Sequence, residues 1–159
     1  MERYTPQAYE QFVRDCLSRQ DQRVSHILAE ICRQQPSFPA AQLHIEVAPR
    51  GILNGLPITI FYSDERGRLL PGSVVSLEEA FGNILTPVET EAVYCFDEIG
   101  VETIEIELQI LLEWFTACWQ TMQKTNLLLP AYLSIQNDRE ALDLFHMRWI
   151  SNPLRNIRP

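Results

Sequence analysis

Apolar residues in the first part of the chain recur every three or four positions, which is the spacing of an amphipathic helix. Thr5 is suited to cap the start of this helix, and the proline after it suits the first turn, where a missing N–H costs nothing. The spacing predicts helix over 6–34, either as one helix or as two that break near Asp21, where the neighbouring residues are polar. Two prolines then end the N-terminal helical segment, which occupies residues 1–40.

The hydrophobic period then changes to two, which is typical of a strand with one exposed face. This alternation predicts a strand over 42–47, and the β-branched and aromatic residues of 57–62 predict a second one. Between them, Asn54 and Gly55 form a pair that favours a tight hairpin turn. A third strand over 68–75 is predicted at an edge or a bulge, because it contains a proline and a glycine. The three strands would form an antiparallel meander.

The middle of the chain contains two capping-box signatures. The one at Ser76 predicts a short helix over 77–81. The one at Thr86 also predicts a helix, but residues 93–96 are strand formers, and a short strand is the interpretation we favour there.

The strongest helical pattern runs over 101–124. Most of its circumference is apolar, with one narrow polar stripe, which predicts a central helix packed on several sides. Leu108, Leu112 and Phe115 lie mid-helix on the richest apolar face, so we expect them to be almost fully buried. The first turn or two could instead be strand, since isoleucine and glutamate alternate there.

The last part of the chain predicts a strand over 131–136 and then a final helix that ends near Ile150. Asn137 or Asp138 would cap this helix, and its buried face would carry a leucine and two aromatic residues. These three residues are Leu142, Phe145 and Trp149.

The predicted fold class is α+β, with residues 1–159 as a single domain and 153–159 as a frayed tail. An antiparallel sheet of about 3–5 strands would pack against the long central helix and the N- and C-terminal helices. A continuous sheet with crossover connections is the alternative. A chain of this length buries roughly 70% of its unfolded surface, which is enough for a core.

Several features favour a protein of the cytoplasm. The N-terminus is polar and lacks the apolar stretch of a signal peptide, and no apolar run reaches the ~18 residues needed to cross a bilayer. The four cysteines are widely spaced among apolar residues, which predicts buried, reduced thiols. They are Cys16, Cys32, Cys95 and Cys118.

The negative charge of the chain is concentrated in one region. Between Leu69 and Gln123 there are ten carboxylates and no lysine or arginine, whereas the chain before balances its charges and the chain after is slightly basic. The net charge of −8 therefore belongs to this block. Such a field repels nucleic acid and attracts cationic surfaces. Of the 13 basic residues 12 are arginines, which suits ion pairing within the chain.

Four carboxylates of this block are the candidate partner-binding residues. Glu98, Glu102 and Glu105 fall on one side of the first turns of the long helix, with Glu107 nearby. Their alternative role is to solvate an exposed helix face and to complement the positive end of the helix dipole.

No motif in the sequence specifies a reaction. The pairs His26–Glu30 and Asp143–His146 have helical spacing, but each is read as a surface ion pair or hydrogen bond, because a zinc site needs three or four ligands. Nucleophile and nucleotide-binding signatures are absent. We therefore predict no catalytic residue, no metal and no cofactor.

The favoured functional hypothesis is a non-enzymatic module whose acidic surface binds a basic protein partner, without nucleic acid or membrane. In size and charge the chain resembles the bacterial immunity proteins, small acidic proteins that neutralise basic toxins; the resemblance is one of composition and implies an immunity or antitoxin-like role. Two alternatives stay open. One is a small-molecule-binding domain or enzyme with a pocket between the sheet and the long helix. The other is a homo-oligomeric scaffold subunit.

Overall fold

Five helices and one six-stranded mixed sheet make up the part of the chain that the computed structural model describes, residues 3–33, 40–122 and 129–154. The α+β class is confirmed. In chain order the elements are α1 (Pro6–Ser18), α2 (Asp21–Arg33), β1 (Gln42–Val47), β2 (Ile58–Ser63), β3 (Val75–Ser76), α3 (Leu77–Phe81), α4 (Pro87–Glu98), α5 (Thr103–Met122), β4 (Ala131–Ile135), β5 (Glu140–Asp143) and β6 (Arg148–Ser151).

The N-terminal segment is two helices rather than one. The Thr5 hydroxyl accepts a hydrogen bond from the Ala8 amide at 3.0 Å, as the sequence predicted for the cap of α1. α1 ends at Ser18, and Asp21 opens α2 after a two-residue turn. The predicted ends of the first and the long helical regions, Gln34 and Lys124, lie outside the described residues.

The sheet has the order β3-β2-β1-β4-β5-β6, and β1 runs parallel to β4 while the other neighbours are antiparallel. The prediction of a purely antiparallel sheet of 3–5 strands is therefore wrong in strand number and in pairing. The crossover alternative describes this sheet better. Parallel pairing of β1 with β4 is possible because three helices carry the chain back from the edge to the centre of the sheet.

The meander is looser than the sequence predicted. A loop over 48–57 joins β1 to β2, so the Asn54–Gly55 pair does not form a two-residue hairpin turn. The third strand, expected over 68–75, is reduced to an isolated bridge between Ser63 and Leu69 and to the two residues of β3.

The favoured strand at 93–96 is wrong, because those residues belong to α4. The capping box at its start is complete: the Thr86 hydroxyl accepts from the Glu89 amide, and the Glu89 carboxylate accepts from the Thr86 amide. Val93 and Phe96, three residues apart, both face the core. The helical spacing and the cap outweigh the strand propensity of these side chains.

The predicted C-terminal helix is also wrong, since the chain forms the β5–β6 hairpin there. The Asp143 carboxylate accepts the amide N–H groups of Phe145 and His146 and so starts the turn. Met147 closes it with a φ of 53°, in the left-handed region. Of the residues expected to be buried, Leu142 is, whereas Phe145 and Trp149 are about half exposed.

α5 lies at the centre of the helical layer, in contact with α1, α2, α4 and β1. The predicted central position is confirmed. Its polar stripe is exposed at Glu105, Gln109, Glu113 and Gln120 and partly buried at Thr116, while Gln123 lies outside the described residues. Phe115 is fully buried as expected, but Leu108 and Leu112 are only partly buried. The most buried face of α5 carries Ile110, Leu111 and, unexpectedly, the glutamate Glu107.

Candidate functional site

Three of the ten clustered carboxylates form ion pairs with arginines from the N-terminal third of the chain. Their arginines come from α1, from the turn after α1 and from the loop after β1. The pairs are Arg14–Glu113 at 2.9 Å, Arg19–Glu89 at 2.7 Å and Arg50–Glu78. Internal pairing, which the arginine-rich composition suggested, thus neutralises part of the acidic block.

The turn between α4 and α5 collects four carboxylates that form no ion pair with any described residue. We call them the acidic corner: Asp97, Glu98, Glu102 and Glu105. All four are exposed. Three of the four residues predicted from the sequence are therefore brought together here.

At the acidic corner, the end of α4 carries negative charges that the helix dipole disfavours. Glu102 and Glu105 flank the start of α5, where the helix dipole favours negative charge. Asp97 and Glu98 occupy the last turn of α4, where negative charge is unfavourable and no basic residue compensates. A cation placed at this turn would lower the electrostatic free energy of both carboxylates.

Large apolar side chains are exposed beside the acidic corner, and sequence analysis did not single them out. Tyr94 is 55% exposed, Ile99 is 59% exposed and Ile104 is 42% exposed. Tyr94 precedes the corner by one helical turn, so the helical assignment of α4 was needed to find it. An apolar group ringed by charge is the usual arrangement of a protein-binding surface.

A cavity of about 150 Å³ opens between α4, the first turns of α5 and the loop after β1. Its walls include the apolar side chains of Leu53, Val93 and Ile104 and the ring of Tyr94. Its polar lining comprises Arg50, Asp97, Thr103 and Glu107. The cavity therefore adjoins the acidic corner, with which it shares Asp97.

Glu107, the fourth predicted residue, is buried rather than exposed. Only 1% of its surface is accessible, and its Oε1 atom accepts a hydrogen bond of 2.8 Å from the Ile52 amide. Its Oε2 atom and the Tyr9 hydroxyl are both buried, and neither forms a hydrogen bond with any other described residue. The two groups lie beside each other, and a hydrogen bond between them contributes to the pKa of each.

Burial raises the pKa of Glu107, and the hydrogen bonds from the Ile52 amide and the Tyr9 hydroxyl partly oppose that rise. Burial, reinforced by the nearby Glu107 carboxylate, also raises the pKa of Tyr9. A carboxylate in this position gains most from a partner that brings a positive charge and hydrogen-bond donors.

Gly51 lies where the loop after β1 approaches Glu107 closely. Gly51 has a φ of +81°, which side chains rarely adopt. A Cβ atom there would lie 2.8 Å from Cδ1 of Ile104 and 3.2 Å from Oε1 of Glu107. Gly51 thus permits the hydrogen bond that the next residue donates to the carboxylate.

A second polar group lies on the face of the sheet away from α5. His44 Nε2 and Ser63 Oγ are 2.8 Å apart across β1 and β2, and the His44 ring packs against Phe61 and Tyr132. Both His44 and Ser63 are buried. The pair therefore joins two central strands inside the protein.

The histidine pairs expected at the surface differ in outcome. His146 Nδ1 lies 2.8 Å from the Asp143 carboxylate, within the β5–β6 turn rather than on a helix. For His26 and Glu30 on α2, Glu30 pairs with Arg33. Neither pair belongs to a cluster, because the described residues contain no group of three potential ligands placed to hold a metal ion.

The four cysteines are free thiols, as predicted, and three of them are buried. Burial raises the pKa of Cys32 to about 11 and that of Cys118 to about 12. Cys16, whose pKa is raised to about 12 by burial and by Glu89, donates to that carboxylate at 3.3 Å. Cys95 is partly exposed. Thiols with raised pKa values are poor nucleophiles near neutral pH.

In the described part of the chain, no helix is both long and apolar enough to cross a bilayer. Comparison with protein-family models, with curated proteins and with solved structures finds no match for this chain.

Proposed function

We propose that this protein is a non-enzymatic binding module whose acidic corner docks onto a cationic protein, with an immunity or antitoxin-like role as its most concrete form. The observation that carries the proposal is the juxtaposition of unpaired, exposed carboxylates with exposed apolar side chains at one turn. Neither feature alone would specify a partner. Together they match a surface in which apolar anchors supply affinity and surrounding charges supply orientation.

The charges of the acidic corner favour a basic partner over other classes of ligand. Within the described residues its four carboxylates have no internal counter-charge, unlike Glu78, Glu89 and Glu113. A basic partner would be accelerated toward this turn by the long-range field and would relieve the repulsion at the end of α4. Nucleic acid would be repelled by the same field.

The apolar anchors of the proposed surface are Tyr94 and Ile99. Tyr94 presents a large ring whose conformational entropy cost on binding is small, and Ile99 stands at the tip of the α4–α5 turn. We expect these two residues to contribute most of the affinity, while the carboxylates act mainly on the association rate.

The other two functional hypotheses stay predictions. Self-association through α5 would need exposed apolar side chains on this helix, and among its described residues the large one left exposed is Ile104. The cavity described above lies at the start of α5 rather than along the sheet, and its lining includes neither tryptophan nor histidine.

The test is the association rate of an immobilised arginine-rich peptide, measured at about 0.01 M and about 0.15 M salt, between which the screening length falls from roughly 30 Å to 8 Å. The double variant Glu102→Gln/Glu105→Gln should bind more slowly than the parent at low salt, and the difference should shrink at high salt. The matched control Glu65→Gln/Glu140→Gln removes the same charge from exposed sites elsewhere. Equal slowing in both double variants would show that only net charge matters and would remove the case for a specific surface.

The anchors need a separate measurement, because charge variants report mainly on rate. Tyr94→Ala should increase the dissociation rate of the same peptide several-fold, whereas Val88→Ala, another exposed apolar residue of α4 outside the corner, should leave it unchanged. An unchanged dissociation rate for Tyr94→Ala would exclude it as an anchor.

A further inference from the structure

The loop over 48–57 contains the pair Asn54–Gly55, which takes no part in the proposed docking surface. Asn54 is exposed, and its side chain forms no hydrogen bond with a described residue. The next residue, Gly55, is buried. An asparagine followed by glycine is chemically labile, because no side chain hinders the approach of the glycine amide nitrogen to the side-chain carbonyl carbon of the asparagine.

We propose that Asn54 is a site of spontaneous deamidation and that the reaction proceeds through local opening of this loop. The Gly55 amide nitrogen forms a bond to Cγ of Asn54, and the side-chain amide nitrogen leaves as ammonia together with the proton that Gly55 loses. The cyclic imide that results then takes up a water molecule. Opening at one carbonyl gives aspartate, and opening at the other gives isoaspartate, in which the main chain runs through the side-chain carbon. Neither step involves a partner, so the inference is independent of the proposed function.

In the closed loop the attacking nitrogen is protected. The Gly55 N–H donates a hydrogen bond to the Ile52 carbonyl at 3.2 Å, at the long end of the range for such bonds. The Gly55 backbone also packs against the end of α3, since a Cβ atom there would lie only 2.8 Å from the carbonyl oxygen of Gly82. A buried, hydrogen-bonded N–H releases its proton less readily than one in water. The nitrogen therefore becomes reactive when the loop opens locally.

Two polar contacts hold the loop closed. The Ile52 amide donates to the Glu107 carboxylate at 2.8 Å, and Arg50 forms an ion pair with Glu78 of α3. The Arg50 side chain is 58% exposed, so solvent screens the ion pair, whereas the bond to Glu107 is buried. Removal of the ion pair should therefore loosen the loop without unfolding the protein.

The other three asparagines of the described residues lack this combination of features. Asn83 is exposed, but it precedes an isoleucine, and its Oδ1 atom accepts a hydrogen bond of 3.1 Å from the Leu85 amide. Asn152 precedes a proline, which has no N–H to lose. Asn137 precedes an aspartate, whose side chain hinders the amide nitrogen. Asn83 is therefore the matched control within the same chain.

The isoaspartate product does not fit the closed loop. It adds a carbon atom to the main chain directly before Gly55, whose backbone has no room to move toward Gly82. We expect the loop to be released and the hydrogen bond from Ile52 to Glu107 to be weakened. The aspartate product adds a charge at an exposed position without lengthening the chain. Formation of isoaspartate is therefore a one-way change in a loop that lines the cavity next to the acidic corner.

The experiment ages the full chain at mildly alkaline pH, folded and in urea, and locates the modified residues by mass spectrometry of peptides. The folded chain should convert Asn54 before Asn83, and urea should speed conversion of Asn54 about tenfold or more. Equal rates in the two states would show that the loop does not control the reaction. Conversion of Asn83 first, or a folded chain that never converts Asn54, would exclude the proposed site. Any of these results overturns the proposal.

Variants of α3 test whether loop opening controls the rate. Glu78→Gln removes the ion pair with Arg50 and should speed conversion of Asn54 several-fold. Glu79→Gln removes the same charge from the neighbouring exposed residue and should leave the rate unchanged. An unchanged or slower rate in Glu78→Gln, or equal acceleration in both variants, would contradict opening as the controlling step.

The two products separate added charge from added chain length. Asn54→Asp reproduces the aspartate product and should keep the urea midpoint of the parent. The isoaspartate form, purified from the aged chain, should unfold at a lower urea concentration. Equal midpoints for the isoaspartate form and Asn54→Asp would show that the loop accommodates the extra carbon and would refute its release from Glu107.

Discussion

Arg19 and Glu89 join the turn after α1 to the first turn of α4 through two hydrogen bonds of 2.7 Å, one from each terminal guanidinium nitrogen. The same carboxylate accepts the Thr86 amide of the capping box and the Cys16 thiol. The Glu89 side chain is 18% exposed and that of Arg19 is 45% exposed, so the carboxylate is the more buried partner. One residue of the acidic block is therefore a structural connection between two helices.

Replacement of Glu89 by alanine should lower the free energy of unfolding by about 1–3 kcal/mol, because it removes a helix cap and a bidentate, partly buried ion pair. Glu91→Ala, on the exposed side of the same helix, should change it by less than about 0.5 kcal/mol. Urea denaturation of both variants measures the difference. Similar values for the two would mean that the Arg19 contact contributes nothing.

Acid should destabilise the protein through this same carboxylate. The ion pair with Arg19 lowers the pKa of Glu89 from its ordinary value of 4.5 to about 2. The resulting stabilisation is complete above pH 4.5 and is lost as the pH falls toward 2, since the unfolded chain takes up the proton first. The difference in unfolding free energy between the parent and Glu89→Gln should therefore narrow across this window, which thermal denaturation at several pH values would follow.

Local signals in the sequence were the ones that predicted structure well. The caps at Thr5 and Ser76 formed as expected, because a side-chain oxygen and an amide three residues on are close whenever a helix starts. The capping box at Thr86 formed too, and giving it more weight than strand propensity would have predicted α4.

The elements that were predicted wrongly depend on partners that are distant in the sequence. The β5 strand exists because it pairs with β4, and β4 lies beside β1 only after a crossover of three helices. The short segment before Asp143 has no alternation long enough to indicate a strand. Its spacing also fitted a helix, and only the sheet decides between the two.

The candidate site was predicted only in part, because one of its residues also depends on a distant segment of the chain. The positions of Glu98, Glu102 and Glu105 follow from their place along one stretch of chain. Burial of Glu107 follows from a loop that comes from β1, and its hydrogen bond to Ile52 spans 55 residues. A charge pattern alone gives no sign of that contact.

The core of α5 supplies a direct test of its observed orientation. Phe115→Ala should cost about 3–5 kcal/mol, since the ring is fully buried. Leu112→Ala should cost less than about 2 kcal/mol, because this side chain is only partly buried. Equilibrium unfolding of the two variants ranks them. A loss for Leu112→Ala as large as that for Phe115→Ala would place Leu112 in the core, as the sequence pattern predicted.

Glu107 should have the opposite dependence on pH from Glu89. Burial raises its pKa above 4.5, so from that pH upward the folded protein holds a proton that the unfolded chain has released. The free energy of unfolding should fall as the pH rises through this window, and level off above the raised pKa. In Glu107→Gln this loss should disappear, so the variant should equal or exceed the parent in stability at the alkaline end. A parent and variant whose stability curves stay parallel would show that Glu107 titrates normally.

Two glycines with similar backbone angles separate the effect of strain from that of crowding. Gly51 and Gly72 have φ values of +81° and +78°, but a Cβ at residue 72 would meet nothing within 4 Å, whereas one at residue 51 would collide with Ile104 and approach Glu107. Both alanine variants should lose about 1 kcal/mol from the left-handed backbone conformation. Gly51→Ala should lose more, because the Ile104 side chain must also move. Urea denaturation of the pair provides the measurement. If Gly72→Ala were the more damaging of the two, the close packing of the loop against the cavity would be wrong.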